Sequence, residues 1–319
     1  MLFGLGSAAR IRKAAPMTQA PPFIPAETVA RALTPDALID QMARALIAFS
    51  DGSAPQPLRS STPLDGDGVM LSMPARFGDI AAVKVVTFCP GNADLGLHTH
   101  HAVIVALTAD TGIPIAMIDG TLVTTLRTAA ASAAAARGVV DQANRIAIIG
   151  AGVQGRAHID AFRHLYPGAQ IVVTSRTAAN AQALAADSGA KFAETVDAAT
   201  RDAQIVIACT SARAPVLFDH HIADGALVVS VGAPLPGWRE LDSSLLAHGV
   251  MADSVAGCNA ESGDLLATER QADVEMGAIL AGTTAAPTGR VRVFMSGGLA
   301  VEDAAAAELI LRAEGLLPG

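Results

Sequence analysis

The sequence predicts an α/β fold: a doubly wound parallel sheet joined to a second, α+β domain. Three observations predict it. The middle of the chain alternates helical segments with near-continuous apolar runs, RIAIIG (145–150), IVVTSR (171–176), QIVIACT (204–210) and ALVVSVG (226–232). Such runs are strands covered on both faces, and their alternation with helices implies a parallel sheet. Ahead of them GVMLSMPAR, IAAVKVVTFCP, HAVIVALTA and IPIAMIDG succeed one another, parted by turn signals such as Asp110-Thr111-Gly112. That texture belongs to a mostly antiparallel sheet. Finally, 319 residues that are 51% hydrophobic and only 16% charged are enough to bury two cores.

Taken in order, residues 1–16 are weakly basic and rich in small residues, without the hydrophobic region and cleavage site of a signal peptide. They are expected to be a disordered extension. Residues 26–50 have a helical pattern, with Thr34-Pro35-Asp36 as a start signal and Ala37, Leu38, Met42, Leu46 and Ile47 at helical spacing. Residues 51–68, rich in Gly, Pro, Ser and Asp, read as a loop before the first-sheet strands. Residues 126–140 form an alanine-rich helix. GVMADS (249–254) adds a strand to the parallel sheet. The final stretch, 298–317, reads as a helix returning to the first domain.

A formal net charge of -8, with no Lys/Arg cluster, argues against a nucleic-acid partner. No apolar run approaches the roughly 20 residues of a membrane helix. Cys89, Cys209 and Cys258 lie far apart in no metal or redox spacing. They read as small hydrophobes of a reduced, cytoplasmic protein.

Gly150-Ala151-Gly152-Val153-Gln154-Gly155 directly follows the run RIAIIG and opens a helical stretch. Strand before and helix after are the context a Rossmann dinucleotide fingerprint requires. Gly150 makes the tight turn, Gly152 admits the pyrophosphate, Gly155 lets helix and strand pack, and the helix N-terminus at Val153 and Gln154 faces the phosphates. About twenty residues on, where an NAD-preferring site has an acid, stand Thr174, Ser175, Arg176 and Thr177. Ser175, Arg176 and Thr177 can hold a 2′-phosphate, so NADP(H) is the expected cofactor, with NAD(H) as the alternative. A solvated surface cation is the plainer reading of Arg176.

His98 and His100 would share one face of an extended segment, but no third ligand of suitable type and spacing accompanies them, and no metal is expected. Pocket lining suits His100 or His101 better, with a plain strand edge as the other reading. His220 and His221 beside Asp219 read as structural, and Asp253 as a turn cap, with a cofactor-side role as its other reading.

The stretch GLHTHHAVIVALTADTGIPIAMIDGTLVTTLRTAAASAAAARG, running into IAIIGAGVQGRAH, resembles the ornithine cyclodeaminase/mu-crystallin family. VKVVTFCPGN, the WRELD of 238–242, the ESGD of 261–264 and SGGLAVED near the end extend the resemblance over nearly everything after Met17. It implies a homodimer associating through the N-terminal sheets, a nicotinamide cofactor, and a small imino or amino acid substrate. It also implies a division into residues 17–125 with the helix 300–319 for substrate binding and dimerisation, and 126–299 as the Rossmann domain.

Arg59, Lys84 and Arg127 match the family's clamp on the substrate carboxylate. By its own surroundings Lys84, inside an apolar strand, must be paired or shifted in pKa. Arg127 looks like an isolated cation at the start of an alanine helix, and Arg59 looks like a surface residue of a polar loop. His101 is expected to touch substrate, and Thr210, Ser296 and Gly298 match cofactor-side loops. Lys84 or an ordered water is the expected proton donor.

The family's cyclodeaminases carry an acid/base aspartate where this chain has Pro234, within Gly232-Ala233-Pro234-Leu235-Pro236-Gly237. A proline cannot exchange a proton, and a positioned acid/base is worth ~10²–10⁴-fold. Ketimine and pyrroline-2-carboxylate reductases of the family fit better. Cyclodeamination with Asp242, Glu240 or another acid in the vacant place, amino-acid dehydrogenation, and non-catalytic NADPH binding are the alternatives.

Overall fold

The computed structural model describes residues 20–317, so the expectation for 1–16 lies outside the described residues. The first sheet has six strands, in spatial order Phe23–Ile24, Pro114–Asp119, His100–Thr108, Ile80–Phe88, Val69–Phe77 and Ser60–Pro63. All neighbours are antiparallel except the parallel pair of Phe23–Ile24 with Pro114–Asp119. The four central strands fall where the sequence puts them. The edge strands do not announce themselves: one is two residues long, and Ser60–Pro63 is exposed throughout. Hydrogen bonds to Val69–Phe77 form the latter strand, without burial, in a stretch that reads as loop. A proline at its end suits a sheet edge.

The expected helix over 26–50 is two helices, Ala26–Ala32 and Pro35–Ser50. Thr34 is extended, with φ -69° and ψ 147°, because a following proline crowds the helical region of the residue before it. The alanine-rich helix begins at Gly120, where Asp119 caps it by accepting a hydrogen bond from the Leu122 N–H at 2.8 Å, and runs to Val139. The expected boundary at 125/126 therefore falls inside a helix. That helix packs on Pro35–Ser50, on His100–Thr108 and on the glycine-loop helix Val153–Leu165. Its fully buried alanines, among them Ala131, Ala133, Ala134 and Ala135, allow this close packing.

The second sheet is eight-stranded and parallel throughout. Its order is Lys191–Phe192, Gln170–Thr174, Arg145–Ile149, Ile205–Ala208, Leu227–Ser230, Arg292–Met295, Gly249–Ala252 and Val274–Glu275. Arg292–Met295, which the apolar runs do not single out, inserts between two earlier strands and delivers the chain to the C-terminal helix Ala300–Ala313. That helix crosses back to pack on Val69–Phe77, Ile80–Phe88 and both long helices of the first half. Among the described residues no helix is long and apolar enough to cross a membrane.

Candidate active site

The second sheet reverses its winding at Arg145–Ile149, which lies between Gln170–Thr174 and Ile205–Ala208. Ligands of such sheets occupy the crevice beyond the carboxyl ends at this point. Gly150 turns there with φ +127°, and a Cβ on it would meet the Cys209 carbonyl at 2.5 Å. A Cβ on Gly155 would collide with the Gly150 carbonyl, whereas one on Gly152 would meet nothing within 4 Å. Gly152 is the N-cap of Val153–Leu165 and no side chain caps that end. An end of this kind leaves the first N–H groups of the helix, those of Val153 and Gln154 among them, without a side-chain cap and available to an anion. The residues thus fit a dinucleotide pyrophosphate, with close packing behind and room in front. Ser175, Arg176 and Thr177 follow Gln170–Thr174 beside this loop, Arg176 and Thr177 exposed and the Ser175 hydroxyl donating to the Thr177 carbonyl at 2.8 Å.

The next two strand ends are tied together by Glu240, which is fully buried. Its Oε1 accepts from the N–H and hydroxyl of Thr210, and its Oε2 from the Ser230 hydroxyl and the N–H groups of Val231 and Gly232. Burial raises its pKa, opposed by these donors. The Thr210 hydroxyl is thereby committed to the protein. Ser296 is buried with its hydroxyl unpartnered among the described residues.

Between the two sheets lies a cavity of about 160 Å³, walled by Phe49, residues 56–59 and Met73 from the first half, and by residues 253–254, 256–258, 261 and 297–300. Its charged walls are Arg59, Asp253 and Glu261. Arg59 is no surface residue: its side chain is 9% exposed and crosses between the halves. Nη1 donates to the Gly297 carbonyl, while Nη2 donates to the Pro234 carbonyl and pairs with Glu261 at 2.8 Å.

Lys84 and Arg127 lie directly behind this wall. Gly298, with φ +83°, has a backbone conformation that favours glycine, and a Cβ on it would stand 3.1 Å from the Arg127 guanidinium. Arg127 is not isolated: its Nη1 pairs with Glu302 at 2.6 Å and its Nε with Asp303 at 3.1 Å. Lys84 pairs with Asp303 at 2.7 Å. Desolvation lowers the Lys84 pKa to about 8 against the pull of Asp303, and raises that of Glu302 to about 7. Asp253 accepts from the N–H groups of Ser254 and Gly298, each at 2.7 Å, and so fixes the Gly298 loop, while the cap of the helix that follows is Ser254.

His101 does not join this group. Register pairs it with Thr87 on the outer face of the first sheet, whereas His100 pairs with Phe88 on the face that carries Lys84. The strand begins at His100, so a shift of one residue exchanges the two. Desolvation and the nearby Lys84 lower the His100 pKa to about 4. His220, His221 and Asp197 converge closely enough for a metal, but the His221 Nδ1 accepts the Phe218 N–H at 3.1 Å. That fixes the proton on Nε2, which faces Asp197 at 3.5 Å. Glu240, Asp264, Glu302 and Asp303, all buried, and the half-buried Glu261 stand in motifs that carry the resemblance, but chain position alone does not signal their surroundings.

The sequence matches the ornithine cyclodeaminase/mu-crystallin family over residues 22–314. It is 33% identical over 305 residues to the ketimine reductase mu-crystallin of Mus musculus, covering 92% of this chain and 97% of that protein. It is also 33% identical over 297 residues to a Delta(1)-pyrroline-2-carboxylate reductase of Burkholderia multivorans, covering 91% and 94%. In structure it resembles the Thermococcus litoralis Delta(1)-pyrroline-2-carboxylate reductase in complex with NADH and L-proline, with a TM-score of 0.85, 29% identity and coverage of 92% and 98%. With the glycine crevice, the cation cluster and this likeness over nearly its whole length, the chain belongs to the ornithine cyclodeaminase/mu-crystallin family.

Proposed function

We propose that this protein is an NAD(P)H-dependent reductase of imino acids whose C=N carbon lies beside a carboxylate, such as cyclic ketimines or 1-pyrroline-2-carboxylate. The observation that carries the reading is the cavity between the two sheets, with Arg59 on its wall and Pro234, where a cyclodeaminase has its aspartate, bonded to that arginine through its carbonyl. Pro234 contributes only its carbonyl. Neither neighbouring acid fills the gap: Asp242 caps Ser243–Leu246 by accepting from Ser244, and Glu240 is enclosed by Thr210, Ser230 and Gly232.

Arg59 anchors the substrate carboxylate from the cavity wall, and Arg127 and Lys84, paired with Glu302 and Asp303 behind Gly298, support that wall, so the imine carbon is held in one orientation. The bound nicotinamide supplies the hydride. Ser175, Arg176 and Thr177 favour NADPH. The division of labour is residues 17–125 with 300–319 chiefly for substrate and 126–299 for nucleotide, with residues 253–261 and 297–298 of the second part also walling the substrate cavity. A homodimer forms through the outer face of the first sheet, where Pro74, Val83, Val105 and Met117 make one row across four strands. Three cysteines without disulfides suit a cytoplasmic setting.

The test measures NADPH oxidation with cyclic and linear imino acids, alongside ammonia release from L-ornithine with catalytic NAD⁺ or NADP⁺. The reading expects rapid turnover of at least one imine and no comparable ammonia release. Proline and ammonia formed together at the rate of the best imine reduction would replace it with cyclodeamination.

A further inference from the structure

We propose that Glu261 is the acid that protonates the imine nitrogen as the carbon is reduced. The inference rests on the reductase reading and on Arg59 as the carboxylate anchor. A proton donor must line the cavity, keep an oxygen or nitrogen free for substrate, and reload from water. The titratable groups on the cavity wall are Arg59, Asp253, Cys258 and Glu261. An arginine does not give up its proton. Both Asp253 oxygens are engaged, Oδ1 by the Ser254 N–H and the Cys258 thiol and Oδ2 by the Gly298 N–H, and the residue is 1% exposed. The Cys258 thiol is buried and its pKa is raised by desolvation and Asp253. Lys84, the donor expected from the sequence, is 2% exposed, is held by Asp303 and does not line the cavity.

Glu261 meets all three conditions. It ends the helix Val255–Glu261, its Oε2 touches Arg59, and its Oε1 has no hydrogen-bond partner among the described residues. Its side chain is 25% exposed, enough to exchange with water. The charged groups facing it are Arg59 from the 51–68 loop and Asp253 from the end of Gly249–Ala252, with Cys258 one turn back on its own helix. Desolvation raises its pKa, Arg59 opposes this, and Asp253 adds to it.

Substrate binding alters that balance. An incoming carboxylate takes the place of Glu261 at the Arg59 Nη2, so Glu261 loses its cation, gains an anionic neighbour and takes up a proton. Because the carboxylate and the imine nitrogen are bonded to the same carbon of the substrate, the displaced Glu261 is beside that nitrogen. Its proton forms the new N–H bond with the π pair of the C=N bond as hydride forms the C–H bond. The imine is reduced by two electrons, the nicotinamide is oxidised by two, and the carboxylate left on Glu261 reloads from water.

Two measurements test this. In the first, pyridine-2-carboxylate is titrated calorimetrically into the NADPH-bound protein in two buffers with different heats of protonation. The unmodified protein is expected to take up protons on binding, and Glu261→Gln to bind without uptake. In the second, kcat for 1-pyrroline-2-carboxylate is followed against pH. The unmodified enzyme should lose activity as pH rises through the pKa of bound Glu261. Glu261→Gln should fall ~10²–10⁴-fold in kcat, with KM much less affected and the alkaline fall gone, and Glu261→Asp should recover part of it. A Glu261→Gln enzyme with near-normal kcat and an unchanged pH profile, or with the same proton uptake, would overturn the proposal while leaving the reductase reading intact. If the unmodified protein reduces no imine, both fall together.

Discussion

Arg59 shows how far a residue's role can lie from its sequence surroundings. Its neighbours Pro57, Leu58, Ser60 and Ser61 describe an exposed loop, yet its guanidinium is held by Pro234, Gly297 and Glu261, all more than 170 positions away. Lys84 is the opposite case: a lysine in an apolar strand must find an anion, and it finds Asp303. Arg176 is legible for a third reason, the absence of an acid where NAD-preferring sites have one. Its side chain is exposed at the end of Gln170–Thr174, so replacing it disturbs no core contact. Arg176→Asp should weaken NADPH binding by roughly the 1.5–3 kcal/mol of a charge-assisted hydrogen bond and narrow the difference from NADH. Fluorescence titration with both nucleotides checks this, and equal affinities for the two in the unmodified protein would remove the basis for an NADPH preference.

The elements themselves were largely written in periodicity. Four strands of the first sheet, five of the second and the long helices appear as apolar runs or helical spacing. The edge strands Phe23–Ile24 and Ser60–Pro63 do not, because neighbouring backbone makes them without a buried face of their own. The site was legible as cations and glycines but not as the acids that hold them. Glu302 and Asp303 sit in the first turn of Ala300–Ala313, where acids are favourable for any helix, so nothing local marks them as buried. Only the return of that helix across the first sheet brings Asp303 to Lys84 and Arg127. Asp303→Asn should therefore cost ~3–5 kcal/mol of stability, the usual result of leaving a buried charge without its partner. Chemical denaturation measures it, and a loss under ~0.5 kcal/mol, typical of a surface site, would show that the cluster does not depend on Asp303.

At the scale of the whole molecule, helices cover one face of the first sheet and the other is left apolar. The row Pro74, Val83, Val105 and Met117 runs across its four central strands, and Met117 is 37% exposed. An uncovered apolar face on an antiparallel sheet needs a partner. A charge in the middle of that row would be buried unpaired in a dimer but solvated in a monomer. Val105→Asp should then shift the protein from dimer to monomer in light scattering coupled to size exclusion, with its secondary structure unchanged. An unmodified protein that runs as a monomer at micromolar concentration would contradict the dimer.

Both halves of the molecule meet at one chemical event, delivery of hydride to a carbon beside a carboxylate. Isotopic labelling observes that event directly. NADPH deuterated at C4 of the nicotinamide, on each face in turn, is incubated with the protein and 1-pyrroline-2-carboxylate, and the product is examined by mass spectrometry and NMR. The account predicts proline carrying one deuterium at Cα from one of the two labelled faces and none from the other, with no ammonia released. Failure to form labelled proline from either face, at any pH where NADPH stays bound, would contradict it.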